Sequence, residues 1–246
     1  MSEKRYFNFP IELLAGFMNN TNVVLGNIFD YCIYKYMHDK KCCVEDAEKY
    51  FGVKTGNHNK SIDNGEKIYK MVKDKRLTGI NESSAGDLFW SFYKNNKSDF
   101  DKAVLLAFLA VKSIVGNKQY YKLTNQNIWF NRIAGQDDDC ETLPKEIAKY
   151  CTRYQFDKIK IELNESYKVS IYAYHTRGQY VSLKMSIEEL AQVAESRKHK
   201  TMKRKIVNKT KDAYLKSKPE TDTDKELKRI QDFLALHPEL KDKICT

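Results

Sequence analysis

Nowhere does the chain run for about 18 uncharged apolar residues, the length a membrane-crossing helix requires, so no membrane association is expected. Residues 1–10 lack both the apolar stretch and the small-residue cleavage site of a secretory leader, and a cytoplasmic location is expected. None of the six cysteines, Cys32, Cys42, Cys43, Cys140, Cys151 and Cys245, stands in CxxC spacing or beside a paired histidine. Free thiols and no structural zinc site are expected. Proline and glycine are scarce, at 4 and 10 among 246 residues, while Lys, Asn, Tyr, Ile and Phe abound. AT-rich codons produce that bias, which suggests a low-GC coding source.

Catalytic signatures are missing too. There is no phosphate-cradling glycine loop, GxSxG elbow, HExxH helix or kinase-type set, so neither a reaction nor a cofactor is expected. Asp137, Asp138 and Asp139 with Glu141 form the one carboxylate group resembling a divalent-cation site. They lack the alternating spacing and central glycine of an EF-hand, so a solvated turn and no metal are expected. His175 beside Arg177 is a lone histidine at a hairpin turn. Tyr120, Tyr121, Tyr150 and Tyr154 have no converging Arg and His set that would make one of them a strand-transfer nucleophile, and packing roles are expected for them.

The most informative shortage is of acid near the carboxyl end. Residues 197–218 hold ten Lys or Arg against Asp212 alone, a net of +9 within a chain whose total is +10. Charge concentrated in one segment attracts a polyanion at long range, whereas the same charges interleaved with acids would largely cancel. The segment has few apolar residues to insert into a lipid surface, which favours nucleic acid over membrane.

A hydrophobic content of 41% is enough to build a core. Apolar residues at helical spacing predict helices over 11–17, 23–37 and 44–51, the last stopping at Gly52, followed by a Lys/Asn/Gly-rich loop and a helix reaching about residue 75. A further helix is expected over 87–95. Ser98 and Asp101 have capping-box spacing ahead of the apolar run 103–115. After it come a short strand over 119–123, a short helix capped by Thr124 or Asn125 and stopped at Gly135, the acidic loop 136–141, and a helix whose first turn accepts Pro144.

Thr152 and Gln155 suggest a second capping box opening a helix over 153–163, although Ile159, Ile161 and Leu163 also alternate as a strand would. Residues 167–174 and 179–185 form a hairpin turning at 175–178. Ser186 and Glu189 make a third capping box, opening a helix that runs into the basic block. Beyond a polar linker, residues 224–237 have amphipathic helical spacing.

The order long helix, strand, short helix, helix, hairpin over 101–185 resembles a winged helix-turn-helix domain. That resemblance implies a presented helix within 143–163 and a wing tip at 175–178. Lys145, Lys149, Arg153, Lys158 and Lys160 would then contact phosphate, Gln155 would read a base, and Arg177 would reach from the wing. Lys198, Lys203, Arg204, Lys205 and Lys209 would add contacts from the tail. A weaker echo of the same helix order in residues 23–75 resembles the tandem winged-helix initiators of plasmid replication.

The expected fold is mainly α with a small hairpin. Its expected parts are a helical domain over 1–97, a winged-helix-like domain over 98–196, and a basic helical extension with a terminal amphipathic helix over 197–246. The expected function is non-enzymatic binding of nucleic acid, with duplex DNA favoured, by a replication or transcription factor of a mobile element. The alternative is a structural or adaptor protein docking its basic helix on an acidic partner, with homodimerisation as a further option.

Overall fold

A computed structural model describes residues 6–72, 76–81, 88–94, 97–174, 178–217 and 222–236. The chain is mainly helical, with two small antiparallel sheets, and it divides into Met1–Ala194 and Glu195–Thr246.

In the first unit, β1 (Tyr6–Pro10) pairs antiparallel with β2 (Leu77–Asn81), placing Phe7 opposite Ile80. Neither strand was expected from sequence. Alternation puts Phe7 and Phe9 fully inside. There the Phe7 ring meets Phe29, Phe51 and Phe89 at centroid distances of 5.5, 4.8 and 5.7 Å. Three helices lie between the strands: α1 (Thr21–Lys40), α2 (Val44–Phe51) and α3 (His58–Met71). The predicted helix over 11–17 is instead a short 3-10 turn, Ile11–Leu14, ended before Gly16, whose φ is 76°. α2 stops at Gly52 as expected, and the Asn57 side chain caps α3 by accepting from the Lys60 amide at 3.1 Å. α3 lies so close to α1 that a Cβ on Gly65 would stand 2.4 Å from the Asp30 carbonyl oxygen. α4 (Leu88–Lys94) adds Phe89 and Phe92 to the core.

The centre of this unit is α5 (Asp99–Val115), opened by the predicted Ser98/Asp101 capping box. Ala103 to Ala107 and Leu109 to Val111 are buried on every side, as expected of a helix packed from all directions. Its main chain also receives side-chain bonds: Thr78 Oγ1 donates to the Leu109 carbonyl at 2.7 Å, and Trp129 Nε1 to that of Ala107 at 3.2 Å. Then follow β3 (Tyr121–Thr124), α6 (Gln126–Ile133), α7 (Lys145–Ala148), α8 (Arg153–Tyr167), β4 (Ser170–Tyr174) and β5 (Gly178–Ser182). Residues 153–163 are helical, which disposes of the strand alternative, yet Thr152 makes no side-chain capping bond. The helix runs one turn further than expected, to left-handed Lys168 (φ 55°), so the hairpin begins at Ser170. Its second strand lies between the other two, in the order β3-β5-β4.

Near the end of α5, the Lys112 ammonium lies 5.3 Å from the Tyr6 ring centroid and 5.6 Å from that of Phe108. Burial pulls its pKa down to about 8. Relative to 10.5 unfolded, the charged form is penalised by about 3 kcal/mol, partly offset by the rings. The folded state therefore sheds this proton first, and its stability rises as pH climbs from about 8 towards 10.5. Lys112→Met should stabilise the protein by about 2 kcal/mol at neutral pH and flatten that rise. Urea melts of both proteins at pH 7 and pH 9.5 check this. A constant difference between them across that range would contradict it.

α9 (Ile187–Ser217) starts in the first unit, where Leu190 and Ala194 pack on Tyr180, and continues into the second. The Ser186/Glu189 box opens it, with Ser186 and Glu189 exchanging bonds of 2.8 and 3.2 Å. α10 (Asp222–Leu236) belongs to the second unit. Among the described residues no helix is long and apolar enough to cross a membrane.

Candidate nucleic-acid interface

Phe156, Ile159 and Leu163 seat α8 in the core, with Phe156 edge-on to Trp129 and Phe130 at 5.0 and 4.7 Å. Spacing of three and four then fixes the outward face as Arg153, Tyr154, Asp157, Lys158 and Ile161. Tyr154 is 68% exposed and Ile161 58%, so a helix with a firmly buried side also leaves an aromatic and a branched residue to solvent. The Lys158 ammonium stands 4.4 Å from the Tyr154 ring centroid, a cation–π contact on the exposed face.

Arg153 and Lys158 are thus on one exposed face, and Lys145 is exposed at the start of α7; none of the three has an ion pair among the described residues. Two other expected contacts are engaged internally. Lys149 donates to Asp99 at 3.2 Å, a bond that holds the Asp99 carboxyl below its ordinary range. Lys160 donates to Asp157 at 2.6 Å and lies over the Phe156 ring at 5.1 Å. Gln155 is half-buried beside the outward face, and Arg177 lies outside the described residues. Tyr154 and Ile161 were missed as surface residues. Their signal was positional, since 154, 158 and 161 lie opposite 156, 159 and 163.

Every residue from 199 to 211 is exposed, including Lys203, Arg204, Lys205 and Lys209. Among the described residues none of those four has an ion pair, whereas Lys198 lies 3.8 Å from Glu195. Like charges four apart, as at Lys200/Arg204 and Lys205/Lys209, each cost an isolated helix about 0.2–0.5 kcal/mol. A polyanion relieves that repulsion.

In the acidic loop after α6, Asp137, Asp139 and Glu141 are exposed, and Asp138 is half-buried against arginine. Asp138 accepts from Arg132 Nε at 2.7 Å and Nη2 at 2.8 Å, while Asp137 pairs with Arg76, which also reaches Glu12 at 2.8 Å. The Arg132 contact, the largest influence, keeps the Asp138 carboxyl below its ordinary range. The described cysteines are free thiols, and burial pushes those of Cys32 and Cys151 up to about 12, which leaves them unreactive. Compared with known proteins, the chain matches no family model, no curated protein and no solved structure.

Proposed function

We propose that this chain binds nucleic acid, with preference for duplex DNA, and catalyses no reaction on it. One observation carries the reading: the cations Lys203, Arg204, Lys205 and Lys209 of α9 are exposed and unmatched by carboxylate among the described residues. A polyanion is the partner that gains most from them, through release of its condensed counterions. The duplex preference is supported by element order. α5, β3, α6, α8 and the β4–β5 hairpin, with strand order β3-β5-β4, follow the winged-helix sequence of parts in which α8 would enter the major groove. The run α1, α2, α3, β2 supports a second such unit, as in the tandem initiators. A replication or transcription factor of a mobile element fits this arrangement. Gel-shift titrations of the full chain on duplex DNA, single-stranded DNA and RNA test the proposal, and absence of any shift at low salt would overturn it.

Tyr154→Ala combined with Lys158→Gln should weaken duplex binding by about tenfold or more, the scale of one good base or phosphate contact. The melting temperature should hardly move, because both side chains are exposed. Unchanged duplex affinity in this variant would remove α8 from the interface.

A second reading, an adaptor that binds protein, is favoured by exposed apolar residues on α9 and α10. Met202 and Ile206 are 52% and 62% exposed, and Ile230 and Phe233 are 50% and 52% exposed. Light scattering separates the two. A defined assembly indifferent to nucleic acid would favour the adaptor.

A further inference from the structure

A cleft of about 820 Å³ is lined by α1, the loop joining α2 to α3, the first turns of α3 and Tyr93 of α4, with no residue of α8 among its walls. Two of its wall residues are glycines that the protein itself does not need. Gly26 sits inside α1, where glycine costs about 1 kcal/mol relative to alanine. A Cβ built there, or on Gly56, would meet nothing within 4 Å, and neither residue has a positive φ. The other glycines described have reasons within the chain. Gly16, Gly52, Gly116 and Gly135 are left-handed, and Gly65, Gly79 and Gly178 would press a Cβ against neighbouring atoms. A helix-weakening residue beside open space leaves room for a ligand to approach the backbone closely.

The chemistry around that space identifies the ligand class. Lys54, Lys60 and Lys67 line the cleft, all exposed and none with an ion pair among the described residues. Asp30 and Asp63 line it as well, but the Asp30 carboxylate accepts from Ser61, and from Asn64 at 2.7 Å, which turns it into the α1–α3 contact. Tyr93 is 44% exposed, with its ring 6.3 Å from Phe29, and supplies a flat apolar wall. Ammonium groups beside an aromatic face suit a phosphate carrying a planar base.

We infer that this cleft is a binding site for a nucleotide unit, its base against Tyr93 and its phosphate on Lys54, Lys60 and Lys67. The unit is either a free nucleotide or one link of a nucleic-acid strand. The inference extends the nucleic-acid reading to the amino-terminal half but stands without it, since a free nucleotide would fit the same wall.

Binding of adenosine monophosphate and of a short oligothymidine strand to the full chain tests it, beside two variants. Gly26→Leu places a helix-forming side chain in the open space, so its melting temperature should rise or hold while binding at the cleft falls at least about tenfold. Replacing Lys54, Lys60 and Lys67 with Gln should do the same without filling the cleft. To separate the basic helix, both probes are also tested on a full chain with Lys203, Arg204, Lys205 and Lys209 changed to Gln. Nucleotide binding there that Gly26→Leu abolishes supports the site for free nucleotide. Strand binding alone, with a photo-crosslink mapped to Tyr93, supports it for a strand. If neither probe binds the tail-neutralised chain, or if Gly26→Leu binds as the parent does, the inference is overturned, whatever becomes of duplex binding through α8.

Discussion

Changing Lys203, Arg204, Lys205 and Lys209 together to Gln is expected to lower affinity for duplex DNA about a thousandfold at 0.1 M salt. Each phosphate neutralised contributes about 0.9 to the slope of log affinity against log salt, so four lost contacts flatten that slope by about 3.5. The fold should survive, because Gln is nearly as good a helix former as Lys or Arg and these side chains are exposed with no ion pair recorded among the described residues. Circular dichroism checks that point directly. A companion in which the three lysines become Arg keeps the charge and should keep the affinity, because a condensed-ion effect responds to charge more than to headgroup shape. Binding by the Gln variant within about threefold of the parent at every salt concentration would mean these cations meet no phosphate.

The charge behind this expectation is legible in sequence because it belongs to one contiguous segment. The same locality explains which parts of the fold were legible. The caps at Ser98, Asn125 and Ser186 act within three residues of themselves, and each opens a helix in the structure. Phe156, Ile159 and Leu163 likewise show their inward face by spacing alone. β1 and β2 were invisible for the opposite reason. Each is five residues long, and the partner that makes Phe7 a strand residue lies some seventy positions away. Non-local pairing also governs the candidate interface. Lys149 looks like Lys145 in the sequence, yet Asp99, fifty positions earlier, takes up its ammonium. The cleft beside Gly26 has walls from α1, the α2–α3 loop, α3 and α4, and no one of these segments carries a nucleotide motif.

The acidic loop shows how far the meaning of a charge depends on such distant partners. In sequence Asp138 is one of three consecutive aspartates; in the fold it closes both ends of a fork on Arg132. Arg132 is only 11% exposed, and its Nη1 donates to the Ser113 carbonyl at 3.2 Å and hydroxyl at 3.1 Å. Arg76, 17% exposed, reaches the same carboxylate at 3.5 Å and donates to the Gln136 carbonyl at 3.1 Å, tying the segment before β2 to this loop. Asp138→Ala therefore leaves the largely buried Arg132 guanidinium short of its counterion, while Arg76 keeps Asp137 and Glu12. Breaking a buried pair from one side costs about 3–5 kcal/mol, and because Asp138 is 32% exposed the lower end, about 3 kcal/mol, is expected. Asp138→Asn keeps an acceptor and should lose about half as much. The pH dependence has a definite sign. The folded carboxyl lies below its unfolded value of 3.8, so its contribution is complete above that value and disappears as pH falls through the folded one. Urea unfolding at pH 7 should separate parent and Asp138→Ala widely, and acidification well below 3.8 should bring them together. Equal stabilities at pH 7 would show that solvent already screens Arg132 and that the loop is not a fastening of the fold.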